Sequence, residues 1–164
     1  MAEGTGSGAG GPDQGTLIAR QRATIAELQT PVIQVWDGIL ALPIIGSLDT
    51  ARAQEMNEAL LDKIVATGSE IVLLDITAVP LIDTAIAKHL LETVAAARLL
   101  GADVLIVGLS TRNAITLVHL GLDLQGVTTR TTMAKGLELA FARLGLQVVA
   151  GSGLRGAVIE TDSL

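Results

Sequence analysis

An α/β fold built on a mixed sheet is what this 164-residue sequence predicts, and three observations carry it. Two apolar runs, Val32 to Trp36 and Ile39 to Ile45, flank Asp37-Gly38, a strong short-range hairpin signal. Downstream of the hairpin, strand-like and helix-like segments alternate four times. The strand-like segments are continuous apolar runs, the pattern of parallel strands whose faces are covered by crossover helices. An antiparallel opening followed by parallel pairing makes the sheet mixed.

Each element follows from local chemistry. Residues 1–15, rich in Gly and Ser, hold too little apolar surface to order themselves and read as a disordered tail. They are not a phosphate-binding loop, since no strand precedes them and no Gly-Lys-Ser/Thr follows. Residues 16–30 read as a linker helix with Leu17, Ile18, Ile25 and Leu28 apolar, stopped by Pro31. A helix so short is marginal in water, so it should pack on the domain or pair with a second copy. The domain proper is expected over residues 31–146, and Pro43 predicts an edge or a bulge, at least locally, in the second hairpin strand. Thr50 to Ala66 has helical spacing in Ala53, Met56, Leu60 and Ile64 and ends at Gly68. Ile71 to Ile76 is a buried strand, Thr84 to Leu100 a helix ending at Gly101, and Val104 to Val107 another strand. Arg112 to Leu120 is helical up to Gly121, Val127 to Thr129 a short strand, and Met133 to Leu144 the last helix. Residues 147–164, with little periodicity and three glycines from Gly151 onward, read as a C-terminal tail.

Composition excludes several function classes. A hydrophobic content of 49% is ample for a core, but that core is aliphatic, Trp36 and Phe141 being the only aromatic residues. There is no stacking platform for single-stranded nucleic acid, and a formal charge of −6 opposes binding to a phosphate backbone. The absence of cysteine removes disulfides, thiolate metal sites and thiol nucleophiles together, in keeping with a cytoplasmic protein. No secretory signal pattern opens the chain, and no apolar run approaches the roughly 18–20 residues that span a bilayer, so no membrane partner is expected.

The search for a catalytic constellation returns little. His89 and His119, the only histidines, both fall inside predicted helices, away from the strand C-termini where open α/β sheets collect ligands. His89 and Glu92 stand one turn apart, but a divalent site needs more ligands than two, and no metal or cofactor is expected. The loop after Val107 has Gly108 but no Gly-x-Gly-x-x-Gly fingerprint; its Ser110 and Thr111 can cap the next helix and are candidate partner contacts. Asp75 with Asp83 or Asp49 could in principle hold Mg²⁺ for phosphate-ester chemistry. The quieter reading assigns Asp49 and Asp83 to helix starts, where negative charge is favoured.

The most informative feature is an echo. Leu48-Asp49-Thr50-Ala51-Arg52-Ala53 returns as Ile82-Asp83-Thr84-Ala85-Ile86-Ala87, with Thr50 and Thr84 thirty-four positions apart, each opening a helix-like segment after an apolar run. A hydroxyl at a helix start can cap exposed backbone N–H groups, and a phosphate there would meet the same donors and the positive end of the helix dipole. Asp-Thr before a helix is also ordinary capping chemistry. The duplication points to a protein that accepts phosphate.

A family resemblance adds to this reading. The run Leu28 to Gly38, then Leu42-Pro-Ile-Ile-Gly-Ser-Leu-Asp49-Thr50-Ala-Arg-Ala53, then Asp75-Ile-Thr-Ala-Val-Pro80-Leu-Ile-Asp83-Thr84, resembles the C-terminal STAS domain of RsbR-type stressosome proteins. The likeness continues through Glu92 to Ala102 and His119 to Leu124 and covers about residues 16–144. It implies the fold of anti-sigma-factor antagonists, a four- to five-stranded mixed sheet flanked by helices. It also implies a non-catalytic scaffold of a stressosome-like signalling complex, phosphorylated by a serine/threonine kinase of the switch-protein type and assembling with RsbS-type and RsbR-type STAS proteins as a homo- or hetero-oligomer. The family's acceptors map onto Thr50 and Thr84. RsbR-type proteins carry a sensory domain before the linker helix, where only residues 1–15 stand here. Two other readings are a stand-alone anti-sigma-factor antagonist that binds an anti-sigma kinase, and a small Mg²⁺-dependent enzyme using Asp75, Asp83 and Thr84.

Overall fold

The computed structural model describes residues 31–122, 124–150 and 157–161, the last of these as backbone only. The expected tail over 1–15 and linker helix over 16–30 lie outside the described residues. Within them, strand β1 (Ile33–Trp36) turns at Asp37-Gly38 into β2 (Ile39–Pro43). There follow α1 (Thr50–Thr67), β3 (Ile71–Asp75), α2 (Thr84–Leu99), β4 (Asp103–Val107), α3 (Thr111–His119), β5 (Thr128–Arg130) and α4 (Met133–Arg143), then β6 (Leu146–Ala150) and β7 (Ala157–Thr161).

The first five strands form one sheet in the order β1-β2-β3-β4-β5, with β1 antiparallel to β2 and the other pairs parallel. Gly38 takes a φ of +84° at the hairpin turn, and its carbonyl accepts the N–H groups of Glu70 and Ile71, both at 3.0 Å. From β2 onward each new parallel strand is added on the same side. Right-handed crossovers then place α1, α2 and α3 on one face, and α4, after the last strand, is left to cover the other.

The core divides accordingly. Leu40, Leu42, Val72, Leu74, Val104 and Ile106 point to the three-helix face, meeting Met56, Leu60 and Ile64 of α1 and Leu90 and Val94 of α2. Ile39, Ala41, Ile71, Leu73, Leu105 and Val107 point to α4, meeting Ala140 and Phe141. Both faces are covered, which is why the strands read as continuous apolar runs. A side chain as fully buried as Leu60 contributes about 1.5–3 kcal/mol of transfer free energy. Gly136 lets α4 lie close on the sheet, for a Cβ there would strike the side chain of Val107. The two aromatic rings meet edge to face, Trp36 against Phe141 with centroids 5.7 Å apart.

One expectation is narrowed and one corrected. Pro43 lies at an edge only locally: β2 as a whole is interior, and the register shift lies on β1 between Gln34 and Trp36. Ile44 N–H donates to Asp75 O, so by alternation the nitrogen of Pro43 faces the β1 side, where pairing has already ended at Ala41, and no ladder donor is missed. The C-terminal tail expected over 147–164 gives way in part to a second, two-stranded antiparallel sheet, β6 paired with β7 from Leu146↔Thr161 to Ala150↔Ala157. A two-stranded ribbon is marginal alone. Leu146 packs against the α4 core cluster and anchors the ribbon's first strand.

Candidate functional site

Because β2, β3 and β4 are parallel neighbours, the helices that follow them all begin along one edge of the sheet. That edge gathers both acceptor candidates and all four candidate partner contacts: Asp49 and Thr50 at α1, Asp83 and Thr84 at α2, Ser110 and Thr111 at α3, with Asp75 ending β3. It is the edge at which open α/β sheets present ligand and partner contacts.

Each helix start uses the same local construction. Asp49 Oδ1 accepts from Arg52 N–H at 2.8 Å, Asp83 Oδ1 from Ile86 N–H at 2.8 Å, and Ser110 Oγ from Asn113 N–H at 3.1 Å. The residue after the cap is a threonine in every case, at the first helical position and exposed. Here the structure corrects the expectation of hydroxyl capping at the Asp-Thr pairs. The aspartates are the caps, because an extended residue just ahead of the helix directs its side chain back onto the third residue's N–H, and Thr50 and Thr84 sit one place too late to do so. Their hydroxyls stand at the helix entrance beside a carboxylate already engaged with backbone.

The loops leading to these starts differ. Ahead of α1, the Arg52 guanidinium reaches back to the carbonyl of Ser47. Ahead of α2, Asp75 Oδ1 accepts from Thr77 N–H at 2.9 Å and from the Thr77 hydroxyl at 2.6 Å, a turn closed by a side chain. Thr77 in turn lies over Gly108, which has a φ of +82° and on which a Cβ would come within 2.7 Å of the Thr77 nitrogen. The loop is fastened further on by Asn113 of α3, whose Nδ2 donates to Val79 O and whose Oδ1 accepts from Ile82 N–H, both at 3.1 Å. Each loop also exposes an apolar side chain, Ile45 before α1 and Leu81 before α2.

Sequence reasoning named the helix starts and missed Asn113. The only signal was an amide at an inward position of α3, one turn before the buried Leu117. The remaining candidates do not join the edge as chemistry. His89 lies within α2 with its Nδ1 3.8 Å from Glu92, and His119 ends α3. Among the described residues, no group of three or more His, Asp or Glu side chains could hold a metal ion. Nor is any described helix long and apolar enough to cross a membrane.

Comparison with known proteins places this edge in context. The STAS domain profile matches residues 30–136. The chain is similar to the RsbT co-antagonist protein RsbRA of Bacillus subtilis, with 38% identity over 133 residues that cover 81% of this chain and 48% of that protein. It therefore spans about half the length of the curated relatives it matches. Among solved structures it is similar to a chain of the stressosome, with a TM-score of 0.62 and 29% identity over 70% of this chain and 98% of that one. A variant of RsbS from Moorella thermoacetica gives a TM-score of 0.58 and 31% identity over 65% of this chain and 92% of its own.

Proposed function

This chain belongs to the STAS domain family, and from that premise we propose that it is a non-catalytic phosphoacceptor scaffold of a stressosome-like assembly, modified at Thr84 and Thr50. One observation carries the reading. Two threonines stand exposed at the first position of helices that leave adjacent strands, each behind a carboxylate cap that relieves the hydroxyl of any capping duty. A phosphate added there brings about −1.5 to −2 charges to the positive end of a helix, beside an existing aspartate. The N-terminal N–H groups draw it in while the neighbouring carboxylate repels it, so modification alters the shape and charge of the edge without touching the core.

The partners in this reading are a serine/threonine kinase of the switch-protein type and other RsbS-type and RsbR-type STAS proteins, met in the cytoplasm. The likeness to an RsbT co-antagonist and to a stressosome chain supports both. Ile45 and Leu81 offer apolar contact beside the two threonines, and Ser110 and Thr111 extend the same edge.

The test is phosphopeptide mapping of the purified chain after treatment with such a kinase and Mg-ATP, paired with light scattering in the presence of an RsbS-type partner. Phosphate on Thr50 and Thr84 and growth into large particles are expected. Phosphate found only at other residues would remove the central claim.

A further inference from the structure

Between Ile76 and Asp83 the chain must turn from the end of β3 to the start of α2, and its own backbone does little to hold it. Val79 N–H returns to Ile76 O at 3.0 Å, while Pro80 has no N–H to give. The carbonyl of Val79 and the N–H of Ile82 bracket Pro80 and Leu81, and both are taken by one side chain from another helix. Asn113 is 1% exposed, lies 34 and 31 residues along the chain from its two partners, and meets each at 3.1 Å. Its own N–H is bound by Ser110, the cap of α3. A continuous line of contacts thus runs from the start of α3 through Asn113 to Ile82, and from there to Asp83 and the start of α2.

The chemistry demands an amide. Val79 presents an acceptor and Ile82 a donor, and a primary carboxamide supplies the complementary pair from one planar group. A carboxylate at this place would turn an oxygen lone pair on the Val79 carbonyl, and an alkyl side chain would leave both backbone groups without this partner among buried residues. A buried polar group so fully matched fixes one conformation of the loop it holds.

We propose that Asn113 is a positioning residue: it sets the presentation of Thr84 to the modifying kinase and has no corresponding hold on Thr50. The proposal rests on the phosphoacceptor reading above. Asn113 does not meet the kinase's reacting atoms; it acts through the Val79–Ile82 turn. The α1 start, whose loop is crossed by Arg52 of its own helix, supplies an internal reference on the same molecule.

The experiment follows phosphate on Thr84 and Thr50 separately, by site-resolved mass spectrometry over time, in the full chain and in its Asn113→Asp and Asn113→Ala variants. For Thr84, kcat/KM should fall about tenfold, mostly in kcat, while Thr50 stays within about twofold. Phe141→Leu, on the opposite face of the sheet, serves as a comparably destabilised control and should leave the ratio of the two rates unchanged. Hydrogen exchange adds a readout that needs no kinase: the Ile82 amide should lose protection about tenfold in Asn113→Ala relative to amides of β3 and β4. Equal slowing at both threonines, an unchanged Thr84 rate, or an Ile82 amide as protected as before would each overturn the proposal. A wild-type chain that takes no phosphate on Thr84 overturns the phosphoacceptor reading itself, and that failure is seen before any variant is made.

Discussion

At the start of α1 and at the start of α2 an aspartate closes the helix with a 2.8 Å bond to the third N–H, and an exposed threonine follows it. The loops ahead of them are held by different means. The first is crossed by a side chain from the very helix it precedes, the Arg52 guanidinium reaching Ser47 O. The second is fastened by Asp75 to Thr77, by the contact of Thr77 with Gly108, and by the buried amide of Asn113. Equal caps on unequal loops teach that helix entry and loop posture are separately encoded. The cap is written in adjacent residues, whereas the posture of the second loop also depends on Gly108 and Asn113, about thirty positions away, which only folding brings near.

The sharpest way to break the comparison is to remove the acceptors. Thr50→Ala and Thr84→Ala should each abolish phosphate at their own position, and the double variant should take none from the kinase. Thr77 and Thr111 should remain bare in all of them, as the Thr77 hydroxyl is committed to Asp75. Intact-mass measurement counts the phosphates directly, and a double variant that still gains one would place the acceptor elsewhere.

Gly108→Ala comes next and strikes only one side. The new methyl group would force a residue with a φ of +82° and push on the Thr77 backbone at 2.7 Å, a combination expected to cost about 2–3 kcal/mol. Denaturant unfolding measures the loss. Because Thr77 belongs to the β3–α2 loop, the variant should slow phosphate transfer to Thr84 more than to Thr50, and a uniform effect would show that the two loops are not independent.

How much of this was legible beforehand follows the same division between near and far. The helix that buries Ala53, Met56, Leu60 and Ile64 and stops at Gly68 is written in spacing and in one left-handed residue, and it lies where the sequence places it. The Asp37-Gly38 hairpin, the parallel strands and both Asp-Thr starts are equally local signals. Asn113 was invisible because its partners are backbone atoms, which carry no residue-type signature, in a turn 31 to 34 positions away. β6 and β7 escaped for a related reason: each is five residues long, and a ribbon of two short strands depends on its anchorage against α4 more than on any pattern of its own. Pro43 marked a local edge and no more, because an interior strand tolerates proline once its neighbour has ended, and strand ends are not visible in composition.

A smaller effect sharpens the comparison at the caps. Asp49→Ala and Asp83→Ala each remove one charged acceptor from a helix start, at a cost of about 1 kcal/mol. If the loops are held as differently as their contacts indicate, the two variants should be alike in stability and unlike in dynamics. With Asn113 in place, the segment before α2 should keep its amide protection, while the segment before α1 should exchange faster. Urea unfolding together with site-resolved hydrogen exchange measures both, and equal loosening of the two loops would weaken the distinction.

The smallest expected effect is the stability cost of losing the hydroxyls themselves, and it follows from the corrected assignment of the caps. Had Thr50 and Thr84 been N-caps, alanine at either would cost roughly 0.5–2 kcal/mol. With the carboxylates of Asp49 and Asp83 in that position and the threonines at the first helical residue, exposed, the substitution removes no cap bond and replaces a β-branched residue by the best helix former. Thr84→Ala and Thr50→Ala should therefore unfold within about 0.5 kcal/mol of the wild type, on either side of it. Thr84→Asp should also fold, since a second carboxylate at a helix N-terminus gains from the dipole part of what it loses by repulsion from Asp83. Its consequence should appear in partner binding instead, where added charge at the exposed edge changes affinity for the kinase or for a second STAS domain. Thermal unfolding and titration calorimetry on the same preparations separate the two effects. A stability loss above about 1 kcal/mol in either alanine variant would return the hydroxyls to the cap and withdraw the claim that they are held free for modification.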